Sequence, residues 1–306
     1  MSFALDTKAN LAAISDTMKH DCCRRAELYG ILWAAGIFTR SRIKLVSASE
    51  ELAGLAVKWL RDQHSIEGNL YITDKKSGDA DERRSCKITV VQKRELERLF
   101  YAFRYTDGEN ESEIKAEMLR CQNCTAAFLR GVFLSSGTLT DPEKGYHLEM
   151  NFTDGKFADR LSGLLNELGL EAKTTTRKTE QVLYYKDSES IENFLAFIGA
   201  NNAAFTIMNK KIERELRSDM NRIANGEVAN IEKTTKAAGA QIAAIKALKV
   251  SGELERMPDE LRITAHLRLE HADATLLQLA ELHTPPITKS GVNHRLKKIL
   301  DWKPTL

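Results

Sequence analysis

Hydrophobic and polar positions follow the same succession of patterns twice in the first two hundred residues. A largely apolar stretch of helical character, RRAELYGILWAAGIF (24–38), leads into RIKLVSASEELAGLAVKWL (42–60). There Ile43 and Leu45 alternate with polar residues, the period of a half-buried strand. Leu52, Leu55, Ala56, Trp59 and Leu60 then recur at helical spacing. TAAFLRGVFLSSGTL (125–139) and HLEMNFTDGKFADRLSGLL (147–165) repeat this, with Leu148 and Met150 alternating and Phe157, Leu161, Leu164, Leu165 and Leu168 on a helix face. Between 23–38 and 124–139 the offset is constant at 101 residues: Cys23 meets Cys124, Ala26 meets Ala127, Leu28 meets Leu129, Gly30 meets Gly131, Ile31 meets Val132 and Gly36 meets Gly137. Two strands and a helix close each unit. They are predicted at 69–75, 84–92 and 93–104 in the first, with KKSGDADE (75–82) as the turn. In the second they fall at 171–176, 179–186 and 187–198, with Asp187 as N-cap and Ser190 as its competitor. Each unit therefore reads αββαββα.

The repeated glycines have a steric meaning. Gly30 and Ala34 stand four apart, as do Gly131 and Ser135, so each helix carries a strip without bulky side chains along which two backbones can approach closely. Gly36 and Gly137 stand where a helix would end in a left-handed residue.

From about Asn202 the alternation disappears and the pattern is helical. Met208 to Met220 reads as helix, and NRIANGEVAN (221–230), with three asparagines and a glycine, is the expected interdomain join. A helix over 230–249 would put Ile231, Ala238, Ile242, Ile245 and Leu248 on one face, and another over 257–270 would place Pro258 in its first turn. In 274–302, Leu276, Leu279, Ala280 and Leu282 form a short apolar helix ending near His283, stopped by Pro285 and Pro286. A second helix starts near Thr288, with Val292, Leu296, Ile299 and Leu300 as its buried stripe. Its other face carries Ser290, Asn293, His294 and Lys297, flanked by Lys289, Arg295 and Lys298, and residues 287–300 hold no acid. Two short helices with a tight turn, the second polar and basic, suit a helix-turn-helix. The cations would anchor phosphates, while Asn, Ser and His reach base edges. A solvated basic terminal helix is the competing reading.

Composition narrows the function classes. With 306 residues the chain is long enough for two domains, and 42% hydrophobic residues with a mean hydropathy of −0.36 argue for a folded protein. The formal charge of +2 excludes a strongly basic nucleic-acid protein, though not a locally basic segment. No apolar run is long enough to span a membrane, and the N-terminal stretch lacks a secretory apolar core. The 5 cysteines are an odd number, which with the missing secretory signal suggests a reduced, cytoplasmic protein. CQNC (121–124) has half the spacing of a zinc or redox site. A second pair at ligand spacing is missing, and adjacent Cys22 and Cys23 suit chelation poorly. The cysteines are therefore expected to be small helix-start residues, with no metal and no cofactor.

LYGILWAAG (28–36) and LRGVFLSSG (129–137) resemble the paired nine-residue helices of the LAGLIDADG homing endonucleases. The resemblance implies an α+β fold: a pseudo-two-fold LAGLIDADG-like domain of two αββαββα repeats, packed along those helices, its sheets forming a DNA-facing saddle. In that family the eighth motif position is acidic and holds divalent metal for phosphodiester cleavage. Here the eighth positions are Ala35 and Ser136, and the sixth are Trp33 and Leu134, so the metal-ligand positions are lost and an active endonuclease is disfavoured. Together with CCRRAELYG, YYKDSESIENFLAFIGA, NRIANGEVAN and PPITKSGVNHRLKKI, nearly the whole chain resembles the WhiA family of Gram-positive bacteria. That resemblance implies repeat one at 1–110, repeat two at 111–205, a helical linker at 206–230 and an all-α DNA-binding domain at 231–306, with its helix-turn-helix at about 274–306. It further implies a non-enzymatic, nucleoid-associated, sequence-specific binder of double-stranded DNA, linked to cell division, chromosome segregation and the transcriptional control of sporulation. A protein partner on the repeat domain, as in a nucleoid-associated interaction protein, and the oligomeric state, a monomer included, are left open.

Overall fold

The 101-residue sequence repeat is also a repeat of structure. The fold is a computed structural model that describes residues 2–67, 69–74 and 84–303. An unanticipated helix, α1 (Phe3–Asp16), opens the chain, capped by the Ser2 hydroxyl, which accepts from the Leu5 N–H at 3.4 Å. The first repeat runs α2 (Asp21–Trp33), β1 (Ile37–Thr39), β2 (Arg42–Ser47), α3 (Glu50–His64), β3 (Asn69–Asp74), β4 (Arg84–Val90) and α4 (Lys93–Ala102). The second runs α5 (Cys124–Ser136), β5 (Gly137–Leu139), β6 (Leu148–Phe152), α6 (Gly155–Glu167), β7 (Lys173–Arg177), β8 (Glu180–Tyr185) and α7 (Ser188–Phe197). The turn expected at 75–82 lies outside the described residues. Asp187 caps α7 by accepting from the Ser190 N–H at 2.8 Å, so Ser190 is the capped residue and not a rival.

Both sheets are antiparallel with matching strand order, β1-β2-β4-β3 and β5-β6-β8-β7. The alternating residues face inward: Ile43 pairs with Val90 and Leu45 with Ile88, all buried, as are Leu148, Met150 and their partners Tyr185 and Leu183.

Helices α2 and α5 pack side by side and cross at their glycines. A Cβ placed on Gly30 would lie 2.2 Å from the Phe128 carbonyl oxygen, and one on Gly131 would lie 2.2 Å from that of Glu27. Since 27 and 128 are equivalent positions, the contact is reciprocal across the pseudo-two-fold. No side chain fits at either place. Gly36 and Gly137 do not end their helices in a left-handed turn. Neither has positive φ, and Gly137 is extended at φ −81°. Its glycine is explained by Phe133, whose ring carbon would lie 2.3 Å from a Cβ, whereas Gly36 has open space around it.

The chain divides into two compact units, Met1–Arg214 and Glu215–Leu306. The residues expected as a helical linker at 206–230 lie inside one helix, α8 (Asn201–Val250), which the asparagines and glycine of 221–230 do not break. Ile231, expected on the buried face, is 66% exposed; burial along this face starts near Ala238 and Gln241. The second unit adds α9 (Asp259–Glu270), α10 (Leu276–Glu281) and α11 (Lys289–Leu300). Pro258 stands at the N-cap of α9, one place earlier than expected. The core of this unit joins Ile245, Leu254, Leu261, Ala265, Leu279, Val292, Leu296 and Ile299. The fold is thus an α+β LAGLIDADG-like domain followed by an all-α helix-turn-helix domain.

Candidate nucleic-acid interface

Helix α11 is oriented by what it buries. Val292, Leu296 and Ile299 are inserted into the core and fix its rotation. Leu300, expected in the same stripe, is 44% exposed, because 100° per residue carries it some 80° past Val292. Leu282, counted in the short apolar helix, lies just past the end of α10 and is exposed as well. The start of α11 is set by Thr288, whose hydroxyl accepts from the Gly291 N–H at 3.0 Å. A capping box of Thr275 and Gln278 likewise starts α10. The connection from α10 to α11, residues 282–288, is longer than the tight turn expected, and it includes a cis Thr284–Pro285 bond. His283 lies buried beneath it, one ring nitrogen 2.9 Å from the Thr264 hydroxyl and the other 2.8 Å from the Leu279 carbonyl oxygen.

With that rotation, Lys289, Ser290, Asn293, His294, Lys297 and Lys298 all stand exposed on one side of α11. Among the described residues no acidic side chain pairs with Lys289, Lys297 or Lys298. Arg295 is different. It is half-buried, and its guanidinium lies 3.3 Å from Glu260 of α9. Lys289 and Asn293 also line a cleft of about 440 Å³ within the second unit, together with Lys233, Gln241 and Arg268. The Arg268 guanidinium is buried, donating to the Ala274 carbonyl at 2.7 Å. The cleft places α8 side chains beside the upper part of the polar face, a neighbour that the periodicity of α11 alone could not reveal.

A second cavity, of about 430 Å³, sits at the C-terminal ends of α2 and α5. Ala34, Ala35, Gly36, Ser135 and Ser136 line it, where the resemblance places metal ligands in endonucleases. Ala35 offers no ligand atom, and the Ser136 hydroxyl donates to the Val132 carbonyl at 2.9 Å. Asp154 is the acid among the described lining residues. Its carboxylate is occupied as the N-cap of α6, accepting from Lys156 N–H at 2.9 Å.

At the opposite ends of the same helices the structure brings the cysteines together. The second pair that spacing along the chain lacks is supplied by the fold, because Cys22 and Cys23 meet Cys121 and Cys124. Cys22, Cys23 and Cys124 do stand in the first turns of α2 and α5, as expected of small helix-start residues, and what spacing along the chain could not show is that they converge with Cys121.

Residues 125–217 match the family described as the WhiA LAGLIDADG-like domain, and residues 220–302 match the WhiA C-terminal HTH domain. Curated relatives called "Probable cell division protein WhiA" cover nearly the full length. That of Carboxydothermus hydrogenoformans is 35% identical and that of Alkaliphilus metalliredigens 32%, each over 98% of this chain and 96% of the relative. This chain belongs to the WhiA family. The full-length crystal structure of DUF199/WhiA from Thermotoga maritima superposes with a TM-score of 0.56 at 25% identity, over 98% of this chain and 97% of that one. Like that structure, this WhiA-family chain carries both domains. No described helix is long and apolar enough to cross a membrane.

Proposed function

We propose that this chain is a non-enzymatic, sequence-specific binder of double-stranded DNA that serves cell division and chromosome segregation, with transcriptional control of sporulation genes as a further use of the same binding. The name its relatives carry supports the division role, and a place on the nucleoid in the cytoplasm accords with it. The observation that carries the reading is the acid-free polar face of α11, held outward by three buried aliphatic residues at the end of a helix-turn-helix domain. The lysines would bind phosphates, and Ser290, Asn293 and His294 would meet base edges. Arg295, tied to Glu260, would orient α11 as well as reach a phosphate.

An endonuclease is disfavoured by Ala35 and Ser136 at the helix ends. Two carboxylates cannot converge there on a divalent ion. The test is selection of bound duplexes from fragmented genomic DNA by the full-length protein, followed by incubation of those duplexes with the protein and Mg²⁺ or Mn²⁺. Enrichment of a common sequence without strand breaks is expected. Specific double-strand cleavage, or no enrichment over scrambled duplexes, would overturn the reading.

A further inference from the structure

Four cysteines that stand in two separate pairs along the chain converge where α2 and α5 begin. The Cys23 sulfur lies 4.0 Å from that of Cys22, 3.9 Å from that of Cys121 and 4.0 Å from that of Cys124. All four sulfurs fall within 4.8 Å of one another, and all are free thiols. Cys23 and Cys124 are equivalent under the repeat, so the close helix crossing that joins Gly30 to Gly131 also brings these two together. The outer two are not explained by symmetry. The counterpart of Cys22 is Asn123, and that of Cys121 is His20. Packing of two equivalent helix starts therefore accounts for the inner pair and leaves the outer pair unexplained.

The local backbone holds Cys121 beside Cys124. The Cys124 N–H donates to the Cys121 carbonyl at 2.9 Å, closing a tight turn whose two sulfurs both lie within 4.8 Å of those of Cys22 and Cys23. Cys23 and Cys124 are buried, Cys121 is half-buried and Cys22 is exposed, which leaves the group open to solvent on one side.

We propose that these four thiols form a tetrathiolate site for a single tetrahedral zinc ion. A zinc–sulfur bond of about 2.3 Å sets the sulfur–sulfur edge of such a tetrahedron at about 3.8 Å. The three separations around Cys23 are already within a few tenths of an ångström of that edge. A four-iron cluster would bind each thiolate to a different iron and needs ligands spread around a core wider than one ion. Loading exchanges four S–H protons, released to solvent, for four Zn–S bonds. Cys22, Cys23 and Cys124 stand in the first turns of α2 and α5, where the positive end of a helix dipole offsets part of the burial that pushes the Cys23 and Cys124 thiols up. The ion would clamp the first turn of α2 to the turn before α5, tying the two repeats together at the end opposite the vacated nuclease position. The assignment is independent of the DNA-binding reading.

The full-length protein, purified under reducing conditions without chelator, is analysed for metal by plasma mass spectrometry. Chelator-stripped protein is then titrated with Co²⁺ as an optical probe. One zinc per chain is expected, with visible Co²⁺ d–d and thiolate charge-transfer bands that Zn²⁺ abolishes. Cys22→Ser and Cys121→Ser, on the open side, should each weaken zinc binding by about tenfold or more while far-ultraviolet circular dichroism stays unchanged. Cys86→Ser, in β4, should retain the full zinc content. The assignment is overturned if zinc neither co-purifies nor is taken up and Co²⁺ gives no thiolate bands. Wild-type affinity in both open-side variants, or a disulfide among the four cysteines in place of the metal by intact mass, would overturn it equally.

Discussion

Arg130 directs two donors at one oxygen of Glu27: Nε at 2.9 Å and Nη2 at 2.8 Å from Oε2. The other Glu27 oxygen accepts from the Ser15 hydroxyl of α1, and Arg130 Nη1 donates to the Ile198 carbonyl at the end of α7, 3.1 Å away. One fully buried carboxylate thereby connects α1, α2, α5 and α7. Burial pushes the Glu27 carboxyl up, while Arg130 and Ser15 oppose it.

Arg130→Met removes that opposition. The variant should lose ~3–5 kcal/mol of stability at neutral pH, because a buried acid is left without its partner. Its folded carboxyl would hold a proton to higher pH than the unfolded one. The deficit should therefore be smallest in mild acid and grow as pH rises. The double variant Glu27→Leu with Arg130→Met should recover much of the loss. Urea unfolding of the parent and the two variants at pH 5.5 and 7.5 checks this; a pH-independent deficit in Arg130→Met would contradict it.

The helix crossing makes a steric prediction. Gly131→Ala places a methyl 2.2 Å from the Glu27 carbonyl oxygen, which is backbone and cannot swing away. A loss of ~1–3 kcal/mol or more is expected. Gly36→Ala, with open space around it, should change stability little. Equal midpoints for Gly131→Ala and Gly36→Ala in thermal melts would count against the close crossing.

The repeat was legible because equivalent residues do equivalent work. Gly30 and Gly131 and Cys23 and Cys124 show at an offset of 101, and the alternating strands follow in the same order four residues further apart. The features missed break that symmetry. Arg130 stands opposite Tyr29 and Glu27 opposite Phe128, so no alignment of the two halves could pair Glu27 with Arg130. Cys22 and Cys121 lack counterparts in the same way, and Glu260 takes Arg295 from a different helix. Within α11, the buried positions Val292, Leu296 and Ile299 were readable from spacing, and with them the exposed face. Its neighbours on α8 were not, because a helical period carries no information about the next helix.

His64, at the end of α3, provides a pH-dependent term. It is buried edge-on to Phe103 at 5.8 Å, its Nε2 has no hydrogen-bond partner among the described residues, and burial with Arg25 and Arg98 nearby lowers its pKa from 6.5 to about 4. The unfolded chain binds this proton below pH 6.5 and the folded one only near 4. Stability is therefore lost as pH falls through that window. The loss from this residue between pH 7 and 5 should be roughly 1–2 kcal/mol. His64→Leu should flatten that part of the profile relative to the parent. Parallel slopes for the two proteins in urea unfolding between pH 7 and 5 would remove His64 from the account.

Reading and anchoring on α11 should fall to different residues. Asn293 is exposed on the outward face, and its amide can pair bidentately with adenine in a major groove. Asn293→Ala should cost ~1–3 kcal/mol at the preferred site and relax sequence preference there, while leaving scrambled duplexes bound as before. Lys297 and Lys298 are exposed and without an acidic partner among the described residues, so each alanine variant should weaken all duplexes alike and lower the salt slope by about one unit. Arg295→Ala should do something different from both. Its guanidinium is 3.3 Å from Glu260, so its removal should loosen α11 against α9 and lower the melting temperature as well as affinity. Lys298→Ala should leave the melting temperature in place. With 45 lysines and arginines offset by 43 acids, the net charge of the whole chain is only +2, so little net positive field masks the loss of a single lysine. The measurement is binding of each full-length variant to selected and scrambled duplexes across a salt series, with melts run alongside. If Asn293→Ala and Lys298→Ala reduce specific and nonspecific binding in the same proportion, the division of roles is wrong. If none of the four changes specific binding, α11 is not the reading helix and the LAGLIDADG-like domain must be tested in its place.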